Sequence, residues 1–118
     1  MARVMIVDDA AFMRISIRNM LLKNGFEVVA EAENGADAVQ KFSVIRPDII
    51  TMDITMPVMD GLTALKEIKK ISSAVKVVMV SALGQEAMVR DAVLSGAAGF
   101  IVKPYKEENI VETLRKLG

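Results

Sequence analysis

The residues of this chain best suited to chemistry are acids that directly follow short apolar segments. Asp8 and Asp9 come after the apolar run that ends at Val7, and Asp53 ends a run that begins at Ile49. Carboxylates that lie close together repel one another, and this repulsion is costly unless a cation compensates it. Two or three carboxylates suit Mg²⁺, which prefers hard oxygen ligands and keeps several waters. A free carboxylate in such a site can also act as a nucleophile.

Two further polar residues end apolar segments in the second half of the chain. Ser81 follows a run that ends at Val80, and Lys103 follows a run that ends at Val102. A lysine supplies a point positive charge and a serine supplies a hydroxyl donor, and both groups can stabilise phosphoryl oxygens. Mg²⁺, a cation and a hydroxyl around one free carboxylate favour phosphoryl transfer, with Asp53 as the nucleophile that forms an aspartyl phosphate.

Composition excludes several other kinds of site. The 118 residues contain no cysteine and no histidine, which excludes disulfides, thiolate metal sites and histidine-based triads. Any metal must therefore be bound by oxygen, which favours Mg²⁺, Mn²⁺ or Ca²⁺. The 15 basic and 15 acidic residues balance, which gives no electrostatic case for binding nucleic acid or an anionic membrane. The N-terminal apolar run is too short for a signal sequence or a membrane span, so we expect a cytoplasmic protein.

The elements that must position these residues alternate strictly between strand and helix. Short apolar runs predict strands over residues 4–7, 26–32, 49–53, 75–80 and 99–102. Helical spacing predicts helices over residues 11–23, 36–45, 62–71, 85–94 and 107–117. Such alternation with short loops is typical of an α/β domain with a parallel sheet and helices on both faces. Because the carboxyl ends of parallel strands share one edge, we expect all the polar strand ends to lie there.

Two of the predicted helices carry apolar residues at helical spacing. In the first helix, the apolar residues at helical spacing are Phe12, Ile15 and Met20. In the fourth helix, the residues predicted to face the core are Met88, Val89, Ala92 and Val93. Leu94 falls on the other side with Arg90 and Asp91, which predicts a small exposed apolar spot on this helix.

The motifs around these residues resemble the receiver domains of two-component response regulators. The matching stretches are Val-Asp-Asp at 7–9, Met-Asp at 52–53, Met-Pro at 56–57, Asp-Gly at 60–61, Val-Ser-Ala at 80–82 and Gly-Phe-Ile-Val-Lys-Pro at 99–104. They extend over essentially the whole sequence, and the resemblance implies a single receiver domain over residues 1–118. It also implies a flavodoxin-like (βα)5 fold, a doubly wound parallel five-stranded sheet in the order 2-1-3-4-5. Segments 10–14 and 51–57 look most like those of single-domain chemotaxis regulators.

The resemblance implies a role for each acid. Asp53 would accept a phosphoryl group from a sensor histidine kinase. Asp9, Asp53 and the backbone carbonyl of Thr55 would bind Mg²⁺ directly, and Asp8 would bind it through water.

The resemblance also implies how the signal is read. Ser81 and Lys103 would contact the phosphoryl oxygens, and Ser81 and Phe100 would be the switch residues, with an inward Phe100 in the active-like form. A cis peptide bond would precede Pro104. The groups that control water at the site would be Thr55 and Leu83, neither of which can act as a base.

The implied function is a phosphorylation-activated switch in two-component signalling, most similar to those of chemotaxis. The expected partners are a sensor histidine kinase, an output target such as a flagellar motor switch protein, and a phosphatase. The protein is expected to be a monomer and not an enzyme, apart from self-phosphorylation by small donors and autodephosphorylation.

Three alternatives remain open from the sequence. A receiver domain of a longer DNA-binding regulator and a phosphorelay intermediate would share the same site. A phosphatase of the haloacid dehalogenase type also uses an aspartate nucleophile with Mg²⁺. That class normally carries a second acid two residues after the nucleophile, where this chain has Thr55.

Overall fold

Five parallel strands form a sheet in the computed structural model of the chain, which describes residues 2–117. The strands are β1 (Arg3–Val7), β2 (Glu27–Ala32), β3 (Ile49–Asp53), β4 (Lys76–Ser81) and β5 (Gly99–Val102). Their order is β2-β1-β3-β4-β5, which confirms the predicted flavodoxin-like topology. Because β1, β3 and β4 are neighbours in the middle of the sheet, their carboxyl ends lie side by side.

Five helices connect the strands and cover both faces of the sheet. They are α1 (Ala11–Lys23), α2 (Gly35–Ile45), α3 (Gly61–Ile71), α4 (Glu86–Leu94) and α5 (Glu107–Leu117). Side-chain caps begin two of them: Asn34 accepts a hydrogen bond from Asp37 at α2, and Asp60 accepts one from Thr63 at α3. All ten predicted elements are confirmed, with bounds that differ by at most one residue. Every helix within residues 2–117 is too short or too polar to cross a bilayer.

The core has two layers, one on each face of the sheet. Met52 and Phe42 belong to the layer beneath α2, α3 and α4, and Ile49 belongs to the layer beneath α1 and α5. Side chains alternate along a strand, so Thr51 and Asp53 share the face of Ile49. All five residues of β3 are buried. Burial on both faces explains why the strand is mostly apolar, with Thr51 as its one polar residue before Asp53.

The apolar residues Phe12 and Ile15, which stand at helical spacing in α1, do not lie on the face that the helix turns to the core. Their exposed fractions are 77% and 56%, whereas Ile17 and Leu21 are fully buried. Apolar residues occur on several sides of this helix, so their spacing does not single out one face. Packing against the strand layer and α5 decides which residues are buried.

The expectation for α4 is also partly wrong. Ala92 is buried and Val89 packs against the core, but Met88 and Val93 are 46% and 49% exposed. The helix lies near the edge strand β5, and an apolar pocket separates part of it from that strand. Leu94 is exposed, as predicted, so the apolar surface of α4 is larger than the sequence indicated.

Thr51 carries a buried hydroxyl that contributes to the cost of folding. Its Oγ1 atom has no hydrogen-bond partner within residues 2–117, and a buried hydroxyl without a partner costs about 1–3 kcal/mol. Thr51→Val keeps the shape of the side chain and removes the hydroxyl. We expect urea denaturation to show a free energy of unfolding higher by about 1 kcal/mol. A lower free energy in the variant would contradict this description of Thr51.

Candidate functional site

The three acids predicted from the sequence meet at the carboxyl edge of the sheet. Asp8, Asp9 and Asp53 each place a carboxylate oxygen within 4.8 Å of the others. They meet because β1 and β3 are neighbours, with Val7 beside Met52 in the parallel register. Asp8 and Asp53 are buried and Asp9 is exposed, so the cluster lies at the surface with its two inner acids covered.

Lys103 provides the positive charge of the site. Its Nζ atom lies 3.3 Å from Oδ1 of Asp53 and 3.9 Å from Oδ2 of Asp8. Burial raises the pKa of Asp53, the Lys103 ammonium lowers it, and the charge of Asp8 raises it further. Burial also raises the pKa of Asp8, and the Ala10 backbone N–H and Lys103 oppose that rise. One ammonium therefore does not fully compensate the buried negative charge, which leaves the acids suited to a further cation.

Backbone groups fix the orientation of both buried carboxylates. Oδ1 of Asp8 accepts a hydrogen bond from the backbone N–H of Ala10 at 2.8 Å, and Oδ1 of Asp53 accepts one from Ile54 at 3.0 Å. The guanidinium of Arg14 donates to the backbone carbonyl of Asp8 at 2.6 Å. Each carboxylate thus keeps its Oδ2 atom for other partners. An all-oxygen set of three carboxylates, two of them held rigidly, fits a hard divalent cation such as Mg²⁺.

The β3–α3 loop, residues 54–60, wraps closely around Asp53. The backbone N–H of Gly61 donates to the carbonyl of Ile54 at 2.7 Å. The backbone of Gly61 passes so close that an added Cβ atom would overlap the carbonyl oxygen of Asp53. Thr55, the predicted source of a backbone ligand, is exposed in this loop two residues after Asp53. The loop therefore forms one wall of the site, and glycine is required where the wall meets α3.

The β4–α4 loop, residues 82–85, forms the opposite wall and follows Ser81. Ser81 ends β4, which is the strand beside β3. Its hydroxyl faces the carbonyl oxygen of Ile101 at 3.5 Å, which is longer than an ordinary O–H···O hydrogen bond. The hydroxyl is therefore weakly held in this structure and can take another partner at low cost.

Phe100 lies on the same face of the sheet as Ser81 and is not a core residue. Its exposed fraction is 50%. It borders an apolar pocket of about 470 Å³ between α4 and β5, which Ser81, Leu83 and Val89 also line. The peptide bond between Lys103 and Pro104 is cis, as the resemblance implied.

Gln85 is a residue of this region that the sequence did not single out. Its Oε1 atom accepts a hydrogen bond from the backbone N–H of Ala82 at 2.6 Å, and its Nε2 atom donates to Oγ1 of Thr55 at 2.8 Å. We call this pair of hydrogen bonds the Gln85 bridge. It joins the two loops that flank Asp53. The sequence shows a long polar side chain just before α4, but no spacing in the sequence predicts its hydrogen bond with Thr55.

Tyr105 was also not anticipated. Burial and the charges of Asp8 and Asp53 raise the pKa of Tyr105 to about 12. Its hydroxyl is buried and has no partner among residues 2–117. The phenol therefore stays neutral, and its packing with the layer beneath α1 and α5 fixes it near the acids.

Comparisons with known proteins agree with this geometry. The family model for the response regulator receiver domain matches residues 4–115. The chain is 59% identical over 114 residues to the chemotaxis protein CheY of Bacillus subtilis, covering 97% of this chain and 95% of that protein. It is 52% identical over 115 residues to CheY of Thermotoga maritima, covering 98% of this chain and 96% of that protein.

Solved structures give the same result. A chain from the CheX–CheY complex of Borrelia burgdorferi with BeF3 and Mg²⁺ superposes with a TM-score of 0.94 at 36% identity, covering 98% of this chain and 88% of that one. The response regulator domain of Thermotoga maritima CheB has a TM-score of 0.87 at 38% identity, covering 98% of this chain and 92% of that one. Fold, site and sequence thus agree, and the chain belongs to the response regulator receiver domain family.

Proposed function

We propose that this chain is a phosphorylation-activated chemotaxis response regulator that accepts a phosphoryl group on Asp53. One observation carries the proposal: the buried Asp53 carboxylate lies 3.3 Å from the Lys103 ammonium and belongs to a cluster of three acids within 4.8 Å. A nucleophile, a point charge and a set of oxygen ligands for Mg²⁺ are what phosphoryl transfer requires. The identity of 59% to a chemotaxis protein supports the signalling pathway.

The proposed reaction moves a phosphoryl group from a phosphohistidine to Asp53. A carboxylate oxygen of Asp53 forms the new P–O bond as the P–N bond breaks, and the departing imidazole takes the electron pair of that bond. Mg²⁺, held by Asp9, Asp53 and the Thr55 carbonyl with Asp8 acting through water, would neutralise charge on the phosphoryl oxygens. Lys103 binds one of these oxygens directly.

The proposed readout runs from Ser81 to the surface of α4 and β5. The weakly held hydroxyl of Ser81 turns toward the phosphoryl group, and Phe100 moves inward into the neighbouring apolar pocket. A ligand shifts a conformational equilibrium only through its different affinity for the two states. Phosphorylation supplies that difference at Ser81, and the altered face binds the output target.

The proposed partners follow from the same proteins. The relatives are chemotaxis proteins, and one structural neighbour is a CheX–CheY complex. This supports a sensor histidine kinase as the phosphoryl donor, an output target such as a flagellar motor switch protein, and a separate phosphatase. We place the protein in the cytoplasm as a monomer whose only catalysis is its own phosphorylation and dephosphorylation. The longer DNA-binding regulator, the phosphorelay intermediate and the haloacid dehalogenase-type phosphatase are not favoured.

Mg²⁺ should stabilise the protein through the three acids. At ten times its Kd, the ion should raise the free energy of unfolding by about 1.4 kcal/mol. Asp9→Ala removes the exposed ligand and should abolish this gain in thermal melts. Glu112→Ala, which removes an exposed acid on α5, should keep it. A wild-type melt that is the same with Mg²⁺ and with chelator would refute the metal site.

The pH dependence of this gain has a defined sign. The pKa values of Asp8 and Asp53 are raised in the folded state, so the folded protein binds protons more tightly than the unfolded chain does. The stability of the metal-free protein therefore falls as the pH rises through these pKa values. Mg²⁺ competes with those protons, so its stabilising effect should be small at about pH 4 and larger at about pH 7. An equal effect at both pH values would place the ion elsewhere.

A further inference from the structure

The Gln85 bridge has a geometry that fixes the orientation of the side-chain amide. A backbone N–H can only donate, so the atom that faces Ala82 must be the oxygen Oε1. The nitrogen Nε2 then faces Thr55 and donates to Oγ1 at 2.8 Å. Gln85 precedes the first residue of α4 but makes no side-chain hydrogen bond that caps the helix. Its polar atoms are used to join two loops instead.

The position of the bridge relates it to the phosphorylation site. Thr55 comes two residues after Asp53, and Ala82 comes one residue after Ser81. The bridge therefore spans the gap between the β3–α3 loop and the β4–α4 loop. A shift of the Ser81 backbone toward Asp53 would move Ala82 as well and so change the geometry of the bridge.

The other residues of the β4–α4 loop, Leu83 and Gly84, make few contacts that would hold the loop. Leu83 is 79% exposed, and an added Cβ atom on Gly84 would meet no heavy atom of residues 2–117 within 4 Å. Gly84 has a φ of +90°, a conformation that glycine adopts without strain. The two hydrogen bonds of the bridge therefore hold a loop whose residues 82–84 are all exposed.

We propose that Gln85 is a positioning residue that holds the β4–α4 loop in its unphosphorylated position and so opposes phosphoryl binding at Asp53. The inference rests on the proposed function, because it assigns Gln85 a role in the response to phosphorylation. The charged oxygens of a phosphoryl group are stronger hydrogen-bond acceptors than the amide oxygen of Gln85. The β4–α4 loop can move toward these oxygens only if the Gln85 bridge opens. Removing the bridge should therefore favour the phosphorylated arrangement. Breaking the bridge costs free energy, and this cost lowers the net free energy of phosphoryl binding.

Two isosteric substitutions test the bridge. Gln85→Met keeps the length of the side chain and removes both polar atoms, and Thr55→Val removes the acceptor on the other loop. Beryllofluoride at a fixed Mg²⁺ concentration serves as the phosphoryl mimic, with binding followed by amide NMR. Because a net hydrogen bond contributes about 0.5–1.5 kcal/mol, we expect Gln85→Met to bind the mimic about threefold to tenfold more tightly. Thr55→Val should give a smaller gain, and the double variant should match Gln85→Met.

Different results would contradict the role of the Gln85 bridge and the proposed phosphorylation of Asp53. Unchanged affinity in Gln85→Met, or gains that simply add in the double variant, would overturn the role of the bridge while leaving the phosphorylation site intact. A wild-type protein that binds no beryllofluoride would overturn both. If Gln85→Met does not fold, Thr55→Val alone carries the test.

Matched controls distinguish a positional effect from a general change in stability. Gln40 is an exposed glutamine on α2, and Gln40→Met should leave the affinity for beryllofluoride unchanged. The affinity for Mg²⁺ alone should be the same in the wild type and in Gln85→Met, since no metal ligand is altered. A parallel rise in Mg²⁺ affinity would instead indicate a rearranged acidic cluster and would refute the proposal.

Discussion

Asp53→Asn should lower phosphoryl labelling by acetyl phosphate at least about a hundredfold, because a carboxamide is not a nucleophile. Asparagine keeps the shape of the side chain and can still accept the hydrogen bond from the backbone N–H of Ile54. The fold should survive, since burial already disfavours the ionised form of Asp53, as its raised pKa shows. Intact-mass spectrometry after incubation with Mg²⁺ and the donor measures the adduct directly.

Asp60→Asn is the matched control for this experiment. Asp60 lies at the end of the same loop and caps α3 by accepting a hydrogen bond from Thr63 at 2.7 Å. Asparagine caps helices about as well as aspartate, so this variant should be labelled like the wild type. A phosphoryl adduct on Asp53→Asn at the wild-type level would assign the acceptor role to another acid, and Asp8 would be the next to test.

The prediction from sequence succeeded where the physical signal is local and sharp. The runs before Asp8 and Asp53 are largely apolar because both faces of β1 and β3 are covered, and each run ends at an acid at the carboxyl edge of the sheet. Parallel topology then brings strand ends together whatever their separation along the chain. The sequence alone therefore predicts that Asp8, Asp53 and Lys103 lie at one edge of the sheet.

The prediction failed where several arrangements satisfy the same pattern. The apolar residues of α1 lie on more than one side, so the burial of Ile17 in place of Ile15 depends on packing with α5. The exposure of Phe100 reflects its place on β5, which lies at the edge of the sheet and has only Ile101 buried. The hydrogen bond between Gln85 and Thr55 joins residues 30 positions apart in two loops, and loop geometry has no periodic signal.

Gly61→Ala should destabilise the protein by about 3 kcal/mol, at the upper end of the usual cost of overpacking. The added methyl group would overlap the carbonyl oxygen of Asp53, a backbone atom that cannot rotate away. Either α3 or the end of β3 must then shift. The hydrogen bond from the Gly61 N–H to the carbonyl of Ile54, at 2.7 Å, would be weakened as well. Urea denaturation measures the loss of stability, and acetyl phosphate labelling should also slow because Asp53 is displaced.

Gly99→Ala provides the comparison that isolates the close approach. Gly99 begins β5, and among the described residues a Cβ atom there would meet only the Thr113 side chain, at an ordinary contact distance of 3.7 Å. Where the backbone is compatible, replacing glycine by alanine stabilises a protein by about 0.4–1 kcal/mol, because the unfolded chain loses freedom. The two variants should therefore change the free energy of unfolding in opposite directions. Equal effects would show that the approach of Gly61 to Asp53 is not what requires glycine at the start of α3.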